Sequence, residues 1–236
     1  MMQRTMQQRM GFFTDTTICI GCKACEVACK QWNRLPGADK EGMEMTGDSY
    51  DNTRRLDNAH WRHVKFIEQF NDDRSKSRWL MMSDVCKHCV RAACLEACPT
   101  GAIVRTEFDT VVIRPDVCKG MKLCVDACPF GVIHLIPPLK IARKCTLCYD
   151  RISEGLLPAC AQACPTDSIR FGPVSELIVS ARARVQQLHE QGETGAFLYG
   201  ADETLAGGLN AFYLLVDRPR VYGLPETIEE KLVLKG

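Results

Sequence analysis

No long apolar run occurs in this sequence. Of its 236 residues 46% are hydrophobic, an ordinary share for a soluble chain, but no stretch approaches the ~20 consecutive apolar residues that a spanning helix needs. Residues 1–10 are polar and lack the apolar segment of an export signal. The expectation is a chain with neither an anchor nor an export signal of its own. Charge of one sign is also lacking: the formal net charge is +1, which argues against nucleic-acid binding and against an acidic tail. Catalytic constellations are missing too. No nucleophile–base arrangement, glycine-rich phosphate loop or pair of carboxylates stands out.

What the sequence does have is cysteine, 15 of them in four groups. The first is Cys19, Cys22, Cys25 and Cys29. The second is Cys86, Cys89, Cys94 and Cys98, followed by Pro99. The third is Cys118, Cys124 and Cys128, followed by Pro129. The fourth is Cys145, Cys148, Cys160 and Cys164, followed by Pro165. Iron–sulfur clusters are held by thiolates in the run C-x2-C-x2-C-x3-C-P, whose first three Cys wrap one cluster and whose fourth reaches the other cluster of a pair. The first group fits this run, with Lys30 in place of Pro. The second has two extra residues before its third Cys, and the fourth carries an insertion over 149–159. Proline after the last Cys has a fixed φ and no N–H, so it stops the turn and redirects the chain. Zinc would use closed sites of paired C-x2-C units and leaves the C-x3-CP tails unexplained. Disulfides suit small secreted chains, and an odd count of crowded Cys does not suit them. The pattern points to iron–sulfur clusters in a row and so to electron transfer.

One ligand is missing. Met121 stands where the third group should have its second Cys, and a neutral thioether is a poor substitute for thiolate at an iron vertex. Three outcomes are open: a 3Fe–4S cluster, a 4Fe–4S cluster with water or an unusual ligand, or a lost cluster with Met121 as core filler. Because Cys118, Cys124 and a cross-supplied Cys98 all remain, the 3Fe–4S reading is favoured. Cluster charge is a main determinant of potential, so this cluster is expected to have the highest potential of the set.

The expected fold class is α+β: two ferredoxin-like two-cluster modules with long loop insertions and a C-terminal helix and strand extension. Residues 12–30 with 140–174 form one module, because the first motif must pair with the fourth, and 83–139 form the other. Cys94 to Pro99, Cys124 to Pro129 and Cys160 to Pro165 share one repeated frame. Extended stretches are expected at 101–104 and 131–136. Phe12, Phe13, Thr17 and Ile18 read as a short strand entering the first ligand loop. Residues 31–82 form an insertion. Its polar part, 31–62, contains Pro36, Gly37, Gly42 and Gly47 and reads either as a surface that wraps a partner or as a mobile loop. Strands at 63–70 and 79–82 form a hairpin around a charged turn. Over 175–236, a helix from Ser175 as cap to Gln191 carries the stripe Leu177, Ala181, Val185 and Leu188, and Gly192 ends it. The stripe is expected to pack on the cluster core. A strand follows at 212–216, and the tail from Arg218 is expected to lie over a partner. His60, His63, His88, His134 and His189 are scattered; only His88 lies in a ligand loop, placed to hydrogen-bond a cluster sulfide. The basic run Lys140, Arg143 and Lys144 reads as a solvated edge or as an offset to cluster charge, the latter favoured by position.

These motifs resemble the four-cluster electron-transfer subunits of the molybdopterin oxidoreductases, from Phe12 to about Phe171. Cys29-Lys30-Gln31-Trp32-Asn33, Cys145-Thr146-Leu147-Cys148-Tyr149-Asp150-Arg151 and Pro158-Ala159-Cys160 are similar to the beta subunit of formate dehydrogenases. So are Gly200 to Thr204, Gly208 to Phe212 and Val221 to Pro225. The resemblance implies a catalytic alpha subunit with molybdenum or tungsten on a bis-pterin cofactor, where formate is oxidised to carbon dioxide. It implies that Cys19, Cys22, Cys25 and Cys164 hold one 4Fe–4S cluster and that Cys29, Cys145, Cys148 and Cys160 hold its companion. Cys86, Cys89, Cys94 and Cys128 then hold a third, and Cys98, Cys118 and Cys124 the modified fourth. In related nitrate reductase subunits a Trp matches Met121 and a 3Fe–4S cluster sits there. The chain departs from the membrane-bound formate dehydrogenases in lacking their C-terminal spanning helix, so a separate membrane cytochrome or quinone-reactive subunit, or a soluble acceptor, is expected to take the electrons. Localisation stays open between the cytoplasm and a membrane face reached by co-export. The rival readings are the same role beside a sulfur-compound, sulfoxide or nitrate reductase, and a free polyferredoxin, against which the insertion and the extension argue.

Overall fold

A computed structural model of the chain describes residues 8–37, 50–51, 53–136 and 139–228. Strand β1 (Met10–Asp15) runs through its centre. Successive strand residues point to opposite faces, so Phe12 and Phe13, both buried, enter different cores. The strand ends earlier than expected. The Asp15 carboxylate accepts the Thr17 N–H at 2.9 Å and caps a 3-10 turn over Thr16–Ile18. Thr17 and Ile18 therefore turn the chain into the first ligand loop.

Four strands form the main sheet in the order β8-β1-β10-β9. β8 (Ile169–Pro173) lies antiparallel to β1, β10 (Ala211–Leu215) runs parallel to it with Phe13 opposite Phe212, and β9 (Phe197–Tyr199) closes the edge. Helix α6 (Val174–Glu190) covers one face with Val174, Leu177, Ala181 and Leu188, a stripe at helical spacing. It starts directly after Pro173 without a side-chain cap, so Ser175 lies inside its first turn. Gly192 follows its end at φ 94°. The stripe does not pack on the cysteine core, contrary to the expectation from the sequence. It joins Phe13, Phe212 and Leu214 in a core whose fully buried members include no Cys. The tail also folds back on the chain: Tyr222 and Leu224 are buried in that core, and the Tyr199 hydroxyl donates to the Pro225 carbonyl at 2.6 Å. Residues 229–236 lie outside the described residues.

Hairpin β2 (Arg62–Phe70) and β3 (Ser77–Val85) is longer than expected at both strands and leads directly into Cys86. Smaller hairpins pair β4 (Ile103–Arg105) with β5 (Val111–Ile113) and β6 (His134–Ile136) with β7 (Ile141–Arg143). β4 begins inside the expected stretch 101–104 and runs one residue past it, and β6 fills the end of the stretch 131–136. Short helices α1 (Ala24–Trp32), α2 (Ala93–Glu96), α3 (Leu123–Ala127), α4 (Tyr149–Ile152) and α5 (Ala159–Gln162) follow or contain motif cysteines. Within the polar insertion, residues 38–49 and 52, including Gly42 and Gly47, lie outside the described residues. Its later part packs on the chain. Leu56 and Ala59 are buried, and the Lys30 ammonium of α1 donates to the Ala59 carbonyl at 3.1 Å.

Candidate functional site

The first and third motif loops share one backbone. Gly21 and Lys23 flank Cys22 at φ 65° and 60°, and Gly120 and Lys122 flank Met121 at φ 67° and 63°. A left-handed lysine is uncommon, and each of the two stands at the N-cap of the helix that follows. Met121 thus occupies the place of Cys22. It is 56% exposed, which excludes the core-filler reading.

Thiols from separate motifs meet in the interior. Cys19, Cys22, Cys25 and Cys164 line one cavity. Cys86, Cys89, Cys94 and Cys128 line another, of about 490 Å³. Cys98, Cys118 and Cys124 line a third together with Met121. Cys29, on α1, has Cys160, Cys145 and Cys148 as its thiol neighbours. The sets also adjoin one another. Cys25 neighbours Cys160, Cys145 neighbours Cys86, and Cys94 neighbours Cys124. All 15 sequence-predicted cysteines fall within these four groups. Among the described residues, no three His, Cys, Asp or Glu close around a point as a single metal ion would require.

Burial disfavours ionised thiolates here. It pushes Cys25, Cys94 and Cys145 up to about 12 and Cys148 up to about 11, with neighbouring thiols adding to the rise. At Cys98 burial also works upward, but the Thr100 hydroxyl and the N–H groups of Ile103 and Ala102 outweigh it and hold the thiol below its usual value. Thiols crowded in this way ionise together only beside positive charge, which a bound iron–sulfur core supplies through its irons.

Part of that positive charge is built into the chain, at Lys144, which the sequence offered as an offset to cluster charge, and at Arg62 and Lys87, which it did not single out. Arg62 is 2% exposed, stacks on Phe12 at 4.7 Å and donates to the Ser83 hydroxyl at 3.0 Å. That hydroxyl lies 3.2 Å from Cys25 Sγ. Lys144 is 3% exposed and donates to the carbonyls of Val111 and Cys145. The basic run therefore splits, since Lys140 is exposed and Lys144 is interior. Lys87, 1% exposed, pairs with Asp84. Arg62 left no signal in the sequence beyond its place at the start of a strand, whereas Lys87 and Lys144 directly adjoin motif cysteines. His88 Nδ1 accepts the Val111 N–H at 3.1 Å, so its proton resides on Nε2. His88 lines the second-motif cavity, and its Nε2 is buried with no partner among the described residues; the same is true of Nε and Nη2 of Arg62. Sulfur acceptors would satisfy these donors. The residues present therefore fit an iron–sulfur group.

Comparison with known proteins agrees. The 4Fe-4S dicluster domain family matches residues 77–174, and a second 4Fe-4S dicluster domain family matches residues 18–102. The formate dehydrogenase-O iron-sulfur subunit of Escherichia coli (strain K12) is 38% identical over 230 residues, which cover 96% of this chain and 74% of that protein. This protein belongs to the family of formate dehydrogenase iron–sulfur subunits. Another member, from Haemophilus influenzae, is 39% identical over 216 residues, covering 90% of this chain and 67% of its own. A subunit of the anaerobic dimethyl sulfoxide reductase of Escherichia coli (strain K12) is 35% identical over 174 residues, 73% of this chain and 77% of that one. As a member of the family the chain is an electron-transfer subunit with two ferredoxin-like dicluster domains, built from mixed helix and strand and holding several 4Fe–4S clusters. Among its described residues no helix is long and apolar enough to cross a membrane.

Proposed function

We propose that this chain relays electrons from formate oxidation, taking them from a molybdenum- or tungsten-pterin catalytic subunit and delivering them to a membrane cytochrome, a quinone-reactive subunit or a soluble acceptor. Once bound, an iron–sulfur cluster supplies reversible one-electron chemistry. The residues of the chain hold the clusters, exclude water and fix their order. Cys19, Cys22, Cys25 and Cys164 hold the first cluster. Cys29, Cys145, Cys148 and Cys160 hold the second, and Cys86, Cys89, Cys94 and Cys128 the third. Cys98, Cys118 and Cys124 hold the fourth as 3Fe–4S, with Met121 at the vacant corner.

The observation that carries this reading is the serial adjacency of the four thiol sets. Thiols of successive sets feel one another's charge in the order first, second, third and fourth, and the two ends reach the surface at Cys22 and at Met121. Contacts of α1 with α5 and of β1 with β8 support a module built from 12–30 and 140–174, and the contact of α2 with α3 supports a second over 83–139. Exposed Ile20, beside Cys22, offers an apolar contact for the catalytic subunit.

Anaerobic addition of formate to the native complex tests the reading. Rapid bleaching of the iron–sulfur absorbance is expected. If dithionite bleaches the complex and formate does not, the formate assignment is overturned and the same relay belongs to another molybdopterin reductase, such as a sulfoxide reductase.

A further inference from the structure

Among the described residues the most deeply buried Lys and Arg side chains are Arg62, Lys87 and Lys144, and they are not equivalent. Lys87 sits against Asp84, whose carboxylate is also 3.4 Å from Lys65, so its charge is answered locally. Among the described residues, Arg62 and Lys144 form no ion pair with a carboxylate. A buried charge without a counterion is strongly disfavoured, so the anions that hold these two in place must come from the thiol sets. Their positions identify which. The neighbours of Arg62 are Cys160, Cys25 and Cys145, from the first and second sets. Those of Lys144 are Cys86, Cys94 and Cys145, from the third and second. Arg62 keeps two N–H positions without a protein partner, as a guanidinium facing sulfur would.

We propose that Arg62 and Lys144 are positioning charges that set the redox potentials at the two inner junctions of the relay, with the Cys29, Cys145, Cys148 and Cys160 cluster held between them. The proposal rests on the cluster assignment above. A cluster with its thiolates is a net anion, and each arriving electron adds one negative charge. A fixed cation nearby stabilises the reduced form and raises the potential. In an interior screened little by salt this effect is strong, and because Coulomb energy falls with distance it is largest at the nearest clusters. Without the two cations, an electron on the first or third cluster would find the second less favourable, and the relay would acquire a barrier in its middle.

The test is a redox titration of the intact complex followed by EPR, with iron content measured alongside. The variants are Arg62→Gln and Lys144→Gln, with the charge-keeping Arg62→Lys and Lys144→Arg. Lys144→Gln is expected to lower the midpoints of the second and third clusters, and Arg62→Gln those of the first and second. Each shift should be at least a tenfold change in the electron's partition, about 59 mV for a one-electron couple. The charge-keeping variants should restore most of it. Where a Gln variant loses iron instead, loss confined to the two flanking clusters and repaired by the charge-keeping variant supports the proposal. Unchanged midpoints, an equal shift at all four clusters, or iron loss that the charge-keeping variant does not repair overturns it. A wild-type complex without four cluster signals would instead overturn the cluster assignment itself, and the proposal with it.

Discussion

Phe12 and Phe13 are neighbours in sequence and belong to different interiors. Phe12 faces a core in which Cys25, Cys86, Cys124, Cys128, Cys145 and Cys160 are buried beside modest apolar side chains such as Val64, Val85 and Ile133. Phe13 faces a core in which it stacks on Phe212 at 5.3 Å, and Tyr213, Leu214 and Leu215 are all 0% exposed. The second core is closed by side-chain packing, as ordinary protein interiors are. The first is built around cavities edged with thiols, so its closure depends on what the thiols hold. A chain of this kind has two separable sources of stability, and damage to one should leave a recognisable trace of the other.

The largest break is expected from Cys29→Ala. Cys29 lies on α1, in the first motif, but its thiol neighbours are Cys145, Cys148 and Cys160. EPR and iron analysis should show loss of the cluster held by the fourth motif, with the Cys19, Cys22, Cys25 and Cys164 signal retained. Loss confined to that first signal would contradict the cross-pairing. Phe212→Ala strikes the other core. Removing a fully buried aromatic there should cost about 3–5 kcal/mol. The melting temperature of the anaerobic complex should fall while the EPR spectrum of the folded fraction stays the same. A changed spectrum would mean that the two cores are coupled through β1.

The thiol core was the more legible of the two, because its ligands announce themselves by local spacing that no other chemistry explains. The α6 stripe was also plain, since period and a terminal Gly mark a helix whatever it packs against. Which core it covers was not plain. β1 pairs with β10 some 200 residues away and with β8 some 160 residues away, and no local pattern encodes such partners. Strand lengths were misjudged where a side chain decides them, as Asp15 does by capping its own turn. Lys144 stands beside a motif cysteine and so reads as an offset to cluster charge, whereas Arg62 looks like a surface residue in the sequence, because the negative charge that holds it inside is assembled from distant motifs.

A finer comparison lies within the thiol core. Gly120 and Gly101 have nearly equal φ, 67° and 65°. A Cβ on Gly120 would stand 2.0 Å from the Lys140 carbonyl oxygen, whereas one on Gly101 would meet nothing within 4 Å. Gly101→Ala should therefore cost only the left-handed penalty, about 1 kcal/mol. Gly120→Ala should cost more and displace the third motif loop from the Lys140 backbone. Comparison of the two melting temperatures checks this, together with the EPR signal of the fourth cluster, which should broaden or vanish in Gly120→Ala alone.

Met121→Cys is the gentlest change and the most informative about the modified set. The backbone needs no adjustment, because Gly120 and Lys122 already hold the conformation that Gly21 and Lys23 give to Cys22. The side chain is more than half exposed, so the shorter Cys leaves no internal cavity and stability should be nearly unchanged. A fourth thiolate beside Cys98, Cys118 and Cys124 completes the donor set that a 4Fe–4S cluster requires. Iron content should rise by one atom per chain, the 3Fe–4S signal of the oxidised protein should disappear, and the midpoint of that cluster should fall because the electron then enters a core that already holds ferrous iron instead of an all-ferric one. Unchanged iron content and spectra would remove the fourth cluster from this loop, even though the loop copies the first so closely.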